Sequence, residues 1–313
     1  MYKRFFGLNE RPFELTSNPK YLFFTPQHRE ALANLEYGIA SAKAITVVIG
    51  EAGLGKTTLL RAALQSEQCR HVRSVVLDNP TMSRAEFVRL LATRLGLRAE
   101  AAESKAVLLN DLETELRARR ARKEMTALIV DEAQSLGREL LEELRLLANI
   151  ETESEKLLPL VLVGQPELAQ QLNEPGLRQL KQRVALRCEI TALSLPETAL
   201  YIASRIRTAG GNTTKLFTRE AVMLIHEVAR GIPRTINVIC DNALINAFAL
   251  NRQPVDRDMV LDACRDLDLT KPESESKPES ESMPESEAVA HPHPTEANLA
   301  LMPVDLLRTR SLS

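Results

Sequence analysis

The eight residues from Gly50 to Thr57 constrain the fold of this 313-residue chain more than any other feature. They read GEAGLGKT and join the apolar run AITVVIG to the helical pattern KTTLLRAALQ. A glycine-rich turn between a strand and a helix lets backbone N–H groups approach phosphates at the positive end of the helix. Because the stretch fits G-x-x-x-x-G-K-[ST] in full, it predicts a phosphate-binding loop.

Short β-branched runs alternate with longer amphipathic stretches on both sides of this loop. We interpret five runs as continuous apolar strands buried on both faces; they span 44–50, 73–78, 126–131, 157–164 and 184–190. A 3.6-residue periodicity between them predicts helices over 56–65, 83–96, 104–120 and 137–151. Alternating strands and helices predict an α/β fold with a mostly parallel sheet flanked by helices.

The strand pattern stops at Pro196, and only helical patterns follow. Pro196 and Pro233 suit the first turns of helices, while Gly210 and Gly231 suit helix ends. The predicted helices span 196–210, 218–231, 233–250 and 255–267. We therefore expect a small all-helical domain after the sheet.

Aromatic residues and a repetitive tail mark the two ends of the chain. Eight of the twelve aromatic residues lie in the first 37 positions, and we interpret Phe5, Phe6 and Phe13 as a satellite core that fastens this segment over the sheet. The Pro-Glu-Ser repeats over 271–287 predict a disordered tail. The expected domains are 1–42, aromatic-rich and packed on the nucleotide site; 43–193, α/β; 194–268, helical; and 269–313, disordered.

Composition restricts the class of protein. The chain has 40 Lys and Arg against 42 Asp and Glu, so its charge does not require a nucleic-acid partner. The four cysteines lie far apart without a C-x-x-C pair, which argues against a disulfide framework and a zinc site. No run approaches the roughly 20 apolar residues that span a bilayer, and the start offers no signal peptide. We expect a cytoplasmic protein without a direct membrane span.

The loop defines the first half of a nucleotide site. Lys56 is expected to reach the β- and γ-phosphates, and the hydroxyl of Thr57 to ligate Mg²⁺. The predicted nucleotide-binding residues are Gly50, Glu51, Ala52, Gly53, Leu54, Gly55, Lys56, Thr57 and Thr58.

Polar residues at the ends of two further strands are predicted to supply the second half of the nucleotide site. In ALIVDE, Asp131 is predicted to hold Mg²⁺ and Glu132 to act as the base for the attacking water. The alternative is a pair of acids that cap a helix start. Gln165 follows LPLVLVG and is a candidate to contact the γ-phosphate or the water, the alternative being a simple loop cap.

Together with the helical stretch GIPRTIN (231–237), these motifs resemble an AAA+ ATPase with the P-loop NTPase fold. The opening, with its FFGL and PF pairs and the stretch LTSNPKYLFFTPQHREALANLEYGI (15–39), resembles the general secretion pathway protein A (ExeA-like) group. The resemblance implies that Gln165 is the first sensor and that Arg234 is the second, reaching from a helical lid to the γ-phosphate. Arginine suits that role because its fork of donors matches phosphate oxygens.

The same resemblance implies a homo-oligomer in which one subunit's arginine completes its neighbour's site. Arg183 is the first candidate and Arg178 the second, the alternative being a solvated basic helix face. Pro26, His28 and Arg29 are expected to line the adenine pocket. Since no N-K-x-D guanine element is found, the implied cofactors are ATP and Mg²⁺.

The implied function is a Mg-dependent ATPase that drives assembly of a bacterial envelope machine, such as a type II secretion or type IV pilus apparatus, through protein partners. The alternative is a DNA-associated ATPase of the transposition-helper or initiator type. Its phosphate contacts would come from five basic residues, although a solvated helix end explains them as well: Arg117, Arg119, Arg120, Arg122 and Lys123. A third possibility is a scaffold that binds ATP and barely hydrolyses it.

Overall fold

A computed structural model describes residues 2–16, 18–78 and 81–269, so the predicted tail lies outside the described residues apart from Leu269. Five strands form one parallel sheet in the order β2-β3-β4-β1-β5. The strands are β1 (Ile45–Gly50), β2 (Val72–Leu77), β3 (Met125–Val130), β4 (Leu160–Gly164) and β5 (Val184–Ile190). The prediction of an α/β fold with a parallel sheet is confirmed.

Helices flank the sheet and make up the chain after it. They are α1 (Tyr2–Phe5), α2 (Pro26–Ala40), α3 (Lys56–Gln65), α4 (Arg84–Leu95), α5 (Lys105–Ala121), α6 (Arg138–Leu147), α7 (Pro166–Leu172), α8 (Arg178–Lys181), α9 (Leu195–Thr208), α10 (Thr213–Leu216), α11 (Arg219–Ala229), α12 (Pro233–Ala249) and α13 (Arg257–Asp266). None of these helices in the described ranges is long and apolar enough to cross a bilayer. The domain boundaries given above remain predictions.

The register of the central strands brings their carboxyl ends to one edge of the sheet. Ile49 of β1 lies beside Gly164 of β4, and Val130 of β3 lies beside Leu162 of β4. The loop after β1, the acids after β3 and the glutamine after β4 therefore emerge next to one another. Parallel strands make this arrangement possible because all of their carboxyl ends share an edge.

The two edge strands differ from the prediction that every strand is buried on both faces. In β5, Arg187 and Glu189 are exposed while Cys188 and Ile190 are buried, and β2 is also exposed in part. An edge strand has a neighbour on one side only, and α2 packs against β5. The central strands β1, β3 and β4 are buried throughout.

The N-terminal aromatic residues pack into the helical region, so the prediction that they fasten the segment over the sheet is wrong for them. Phe13 lies 6.1 Å from Phe217 between ring centroids, and Phe5 lies 5.6 Å from Phe248. The helical core has many small residues, which leave volume that rings can fill in a close-packed interior; they include Ala209, Ala221, Ala229, Ala243, Ala247 and Ala263. The sheet faces already carry an aliphatic core.

Replacing Phe13 by alanine tests this shared core. Phe13 is 1% exposed and Phe24 is 38% exposed, so Phe24→Ala is a matched control. We expect Phe13→Ala to lower the free energy of unfolding by about 3–5 kcal/mol, because a large buried ring leaves a cavity. Denaturant unfolding followed by circular dichroism measures both variants. Equal stability of the two would contradict the packing described here.

Candidate nucleotide site

The phosphate loop has the backbone that a glycine-rich turn requires. It starts at Gly50, the last residue of β1, and ends where α3 begins. Gly53 and Gly55 have φ angles of 82° and 92°, in the left-handed region that favours glycine. A Cβ at Gly50 would lie 2.7 Å from the carbonyl oxygen of Ile190. The loop therefore presents backbone N–H groups at the N-terminus of α3, where an anion is stabilised.

Lys56 is folded back onto this loop. Its ammonium donates to the carbonyl oxygens of Gly50 at 2.7 Å and Glu51 at 2.9 Å. The side chain is buried, and this burial lowers its pKa although the carboxylates of Glu132 and Asp131 act in the opposite direction. An ammonium has three N–H donors, so one remains for a phosphate oxygen.

Thr57 and Asp131 join α3 to the end of β3. The hydroxyl of Thr57 donates to Oδ2 of Asp131 at 2.7 Å. Burial raises the pKa of Asp131, and hydrogen bonds from Thr57 and from the backbone N–H of Glu132 oppose that rise. A hydroxyl and a carboxylate are oxygen ligands of the kind that Mg²⁺ prefers, so these two residues fit the ion.

A dedicated cage of protein ligands is not part of this site. Among the described residues, no group of three or more His, Cys, Asp or Glu side chains could hold a metal ion. Protein-bound Mg²⁺ usually has one or two carboxylates and completes its shell with phosphates and water. Thr57 and Asp131 supply oxygen ligands in the small number that this ion usually takes from a protein.

Glu132 lies beside this pair with its carboxylate held by two amides. Oε2 accepts from Nε2 of Gln134 at 2.6 Å and from Nε2 of Gln165 at 3.2 Å. Burial by itself would raise the pKa of Glu132, but these hydrogen bonds and the charge of Lys56 outweigh it, so the pKa lies below its ordinary value. Glu132 is therefore ionised at neutral pH, as a base must be.

The side chains of Glu132 and Gln165 do not act as simple caps, which was the alternative role for each of them. Glu132 precedes the short 3-10 helix Ala133–Ser135 and has a left-handed φ of 54°, but its side chain makes no capping hydrogen bond. Gln165 precedes α7 and likewise makes no side-chain cap. Each side chain is instead bonded to the other across the ends of β3 and β4.

A pocket of about 300 Å³ opens between the loop, the N-terminal segment and the helices α9 and α12. This volume lies at the lower end of the range for small-molecule sites. Leu22, Phe23, Leu193 and Tyr201 give it an apolar part, while Lys56, Glu132 and Arg234 line the polar part. Residues 14–16, 18, 21–23 and 28 of the aromatic-rich segment thus contribute to the site, although residues 2–13 pack with the helices.

Of the three residues expected to line an adenine pocket, only His28 lines the pocket described here. Its Nδ1 lies 2.7 Å from Oγ1 of Thr25, and its Nε2 lies 3.4 Å from the carbonyl oxygen of Leu54. Pro26 and Arg29 are exposed, because the first turn of α2 directs His28 inward and these neighbours outward.

The structure brings Arg234 to the loop, whereas Arg183 lies far from it. The backbone N–H of Arg234 donates to the carbonyl oxygen of Gly53 at 3.2 Å, and its side chain lines the pocket. Arg183 precedes β5, whose first residue Val184 pairs with Ile45 at the opposite end of β1. Five residues of strand separate that end from the loop, about 17 Å. The exposed Arg178 is also outside the pocket lining.

Arg205 is a pocket residue that the sequence did not point to. It is buried and donates to Oη of Tyr201 at 2.9 Å and to the carbonyl oxygens of Pro12 and Glu14. Its guanidinium lies 4.6 Å from the ring centroid of Tyr21. One signal for Arg205 was available in the sequence. It follows Tyr201 by four positions, so the two side chains lie on the same buried face of α9. Arg205 ties the N-terminal segment to the helices at the pocket.

The comparisons with known proteins agree with this geometry. Residues 39–172 match the family model described as "AAA domain". Over 249 residues, or 80% of the chain, the sequence is 40% identical to General secretion pathway protein A of Aeromonas hydrophila. The chain contains an AAA domain. This AAA protein spans about 45% of the length of that relative.

Solved structures share the fold of this AAA protein at low sequence identity. The ORC2 protein of Aeropyrum pernix, solved in ADPNP–ADP complexes, is 17% identical with a TM-score of 0.57 over 82% of this chain and 71% of its own. The ORC1 protein of the same organism, solved in complex with DNA, is 18% identical with a TM-score of 0.60 over 79% and 67%. These likenesses establish the parallel sheet with its helical region.

The buried histidine of the pocket predicts a pH dependence of stability. Burial lowers the pKa of His28 from its usual value of 6.5, against the opposing effects of the Leu54 carbonyl and the charge of Glu197. The unfolded chain therefore binds a proton more readily, so the free energy of unfolding falls as the pH drops through 6.5, by up to about 1.4 kcal/mol per pH unit.

Replacing His28 by glutamine should reduce this fall between pH 7.5 and pH 5.5. The exposed His71 provides the control, and His71→Gln should keep the wild-type pH dependence. Denaturant unfolding at several pH values measures the difference between them. A wild-type slope in His28→Gln would contradict the assignment.

Proposed function

We propose that this AAA protein binds ATP with Mg²⁺ and hydrolyses its β–γ phosphoanhydride bond. The observation that carries the proposal is the carboxylate of Glu132, which two amides hold beside the Thr57–Asp131 pair at the rim of a pocket with a phosphate loop. The related fold of ORC2, solved with ADPNP and ADP, supports a nucleotide as the ligand. The absence of the guanine element in the sequence favours ATP.

In the proposed reaction, backbone N–H groups of the loop and the ammonium of Lys56 bind the phosphates. Thr57 and Asp131 would hold Mg²⁺, which neutralises charge on phosphate oxygens when bound. Glu132 orients the attacking water and accepts its proton. Gln165 positions the water, and the guanidinium of Arg234 stabilises the charge that develops in the transition state.

Oligomerisation completes this proposal. Arg183 and Arg178 lie outside the pocket of their own chain, so either can act only in a neighbouring copy's site. An arginine supplied in this way can raise the rate by orders of magnitude. We retain Arg183 as the first candidate and Arg178 as the second.

Replacing Glu132 by glutamine tests hydrolysis directly. We expect turnover to fall roughly 10²- to 10⁴-fold while ATP still binds, because the amide keeps the shape but cannot take the proton. Phosphate release and ATP titration measure the two quantities, and the exposed Glu153→Gln is the control. Undiminished turnover would refute the role of Glu132. A wild-type protein that binds ATP without releasing phosphate would favour the scaffold alternative.

We further propose that the ATPase cycle drives assembly of an envelope secretion or pilus machine through protein partners. The 40% identity to General secretion pathway protein A supports this pathway. We favour the DNA-associated alternative less, since four of these five basic residues pair with acids, which reduces the charge that they offer to phosphates. The pairs are Arg117–Glu113, Arg119–Glu115, Arg120–Glu155 and Arg122–Glu124.

A gene deletion in the organism that encodes this chain separates the two pathways. We expect the deletion to abolish secretion or piliation, with restoration by the wild-type gene and not by Glu132→Gln. Titration with duplex DNA at several salt concentrations should show no steep loss of affinity, because few phosphate contacts form. Intact secretion together with strongly salt-dependent DNA binding would establish the alternative instead.

A further inference from the structure

Gln134 is bonded to both of the polar residues that flank the proposed reaction. It lies in the short 3-10 helix after Glu132 and is half-buried. Its Nε2 donates to Oε2 of Glu132 at 2.6 Å, and its Oε1 accepts the backbone N–H of Gln165 at 3.0 Å. One amide thus connects the end of β3 to the end of β4.

The orientation of this amide is fixed by its partners. A carboxylate only accepts and a backbone N–H only donates, so reversing the amide would oppose two acceptors at one end and two donors at the other. The backbone carbonyl of Gln134 also accepts from Nε2 of Gln171 at 3.0 Å. Both the side chain and the main chain of Gln134 are therefore held.

The glycine at position 164 leaves room for the side chain of Gln134. A Cβ on Gly164 would lie 3.0 Å from Oε1 of Gln134 and 2.8 Å from a methyl carbon of Leu168. Glycine at the end of β4 therefore allows the amide to approach the backbone of Gln165 closely.

Gln134 makes the shorter of the two amide contacts with the carboxylate. Both amides bind Oε2 of Glu132, and within the described part of the chain neither of them engages Oε1. The carboxylate extends from a residue in a left-handed conformation, and a rotation about its side-chain torsions would displace both carboxylate oxygens. Misplacement of a reacting group by about 1 Å can lower a rate about 100-fold.

We propose that Gln134 is a positioning residue that fixes the carboxylate of Glu132 for proton abstraction and links it to Gln165. This inference rests on the proposed ATP hydrolysis. The hydrogen bonds of Gln134 are made to Glu132, Gln165 and Gln171, so it acts through Glu132 and not on the nucleotide.

The test compares Gln134→Met and Gln134→Ala with the wild type in steady-state ATP hydrolysis. Methionine keeps most of the side-chain volume and removes both hydrogen bonds, which separates positioning from packing. We expect kcat to fall roughly 10- to 100-fold in both variants with KM within about twofold of the wild type. The exposed Gln170 on α7 provides a control, and Gln170→Ala should keep wild-type kcat.

A double-mutant cycle with Gln165→Ala tests the link between the two glutamines. Because both side-chain amides donate to the same oxygen of Glu132, the combined loss of kcat should differ by more than about twofold from the product of the single losses. Thermal unfolding of each variant, within a few degrees of the wild type, shows that the fold persists.

Wild-type kcat in Gln134→Met, or strictly multiplicative losses in the cycle, would overturn the positioning role while leaving the proposed ATPase intact. Absence of turnover in the wild type would overturn the ATPase and this inference together. A rise in KM without a change in kcat would also refute the inference, because it would indicate a role in nucleotide binding.

Discussion

The hydrogen bond between Thr57 and Asp131 connects the parts on which the site depends. It joins the first turn of α3, which carries the phosphate loop, to the end of β3, which carries the proposed base. β4 lies between β1 and β3 in the sheet, so Gln165 emerges between these two groups. The bond has an ordinary length of 2.7 Å and is partly buried, and electrostatic interactions are stronger in such surroundings than at the surface. It fixes the spacing between the phosphate loop and Glu132.

The site also depends on a segment that is distant in sequence. Residues 2–13 pack into the helical core, residues 14–16, 18 and 21–23 line the pocket, and α2 then packs against β5. Arg205 donates to the segment and to Tyr201, whose hydroxyl donates to Asn237 in α12. The segment therefore links the helices that carry Arg234 to the sheet that carries the loop. This arrangement explains why so many of the chain's few aromatic residues lie near its start.

Buried charges in this protein are compensated rather than avoided. Lys56 donates to loop carbonyls, and Asp131 accepts from a hydroxyl and a backbone N–H. Arg205 is surrounded by carbonyl oxygens and tyrosine rings. Burying a charge without such partners would cost several kcal/mol. These hydrogen bonds take the place of water around the buried charges. The charged groups can therefore remain at the pocket.

The sequence by itself determined the strands, most helices and the identity of the loop, because hydrophobic periodicity and glycine geometry are local properties. It also indicated Asp131, Glu132 and Gln165, since the carboxyl ends of parallel strands must share an edge. Only the tertiary structure decided that Phe13 joins the helical core, that Arg205 lines the pocket, and that Gln134 bonds both Glu132 and Gln165. These contacts join residues whose proximity depends on how separate elements pack, and no local pattern encodes it.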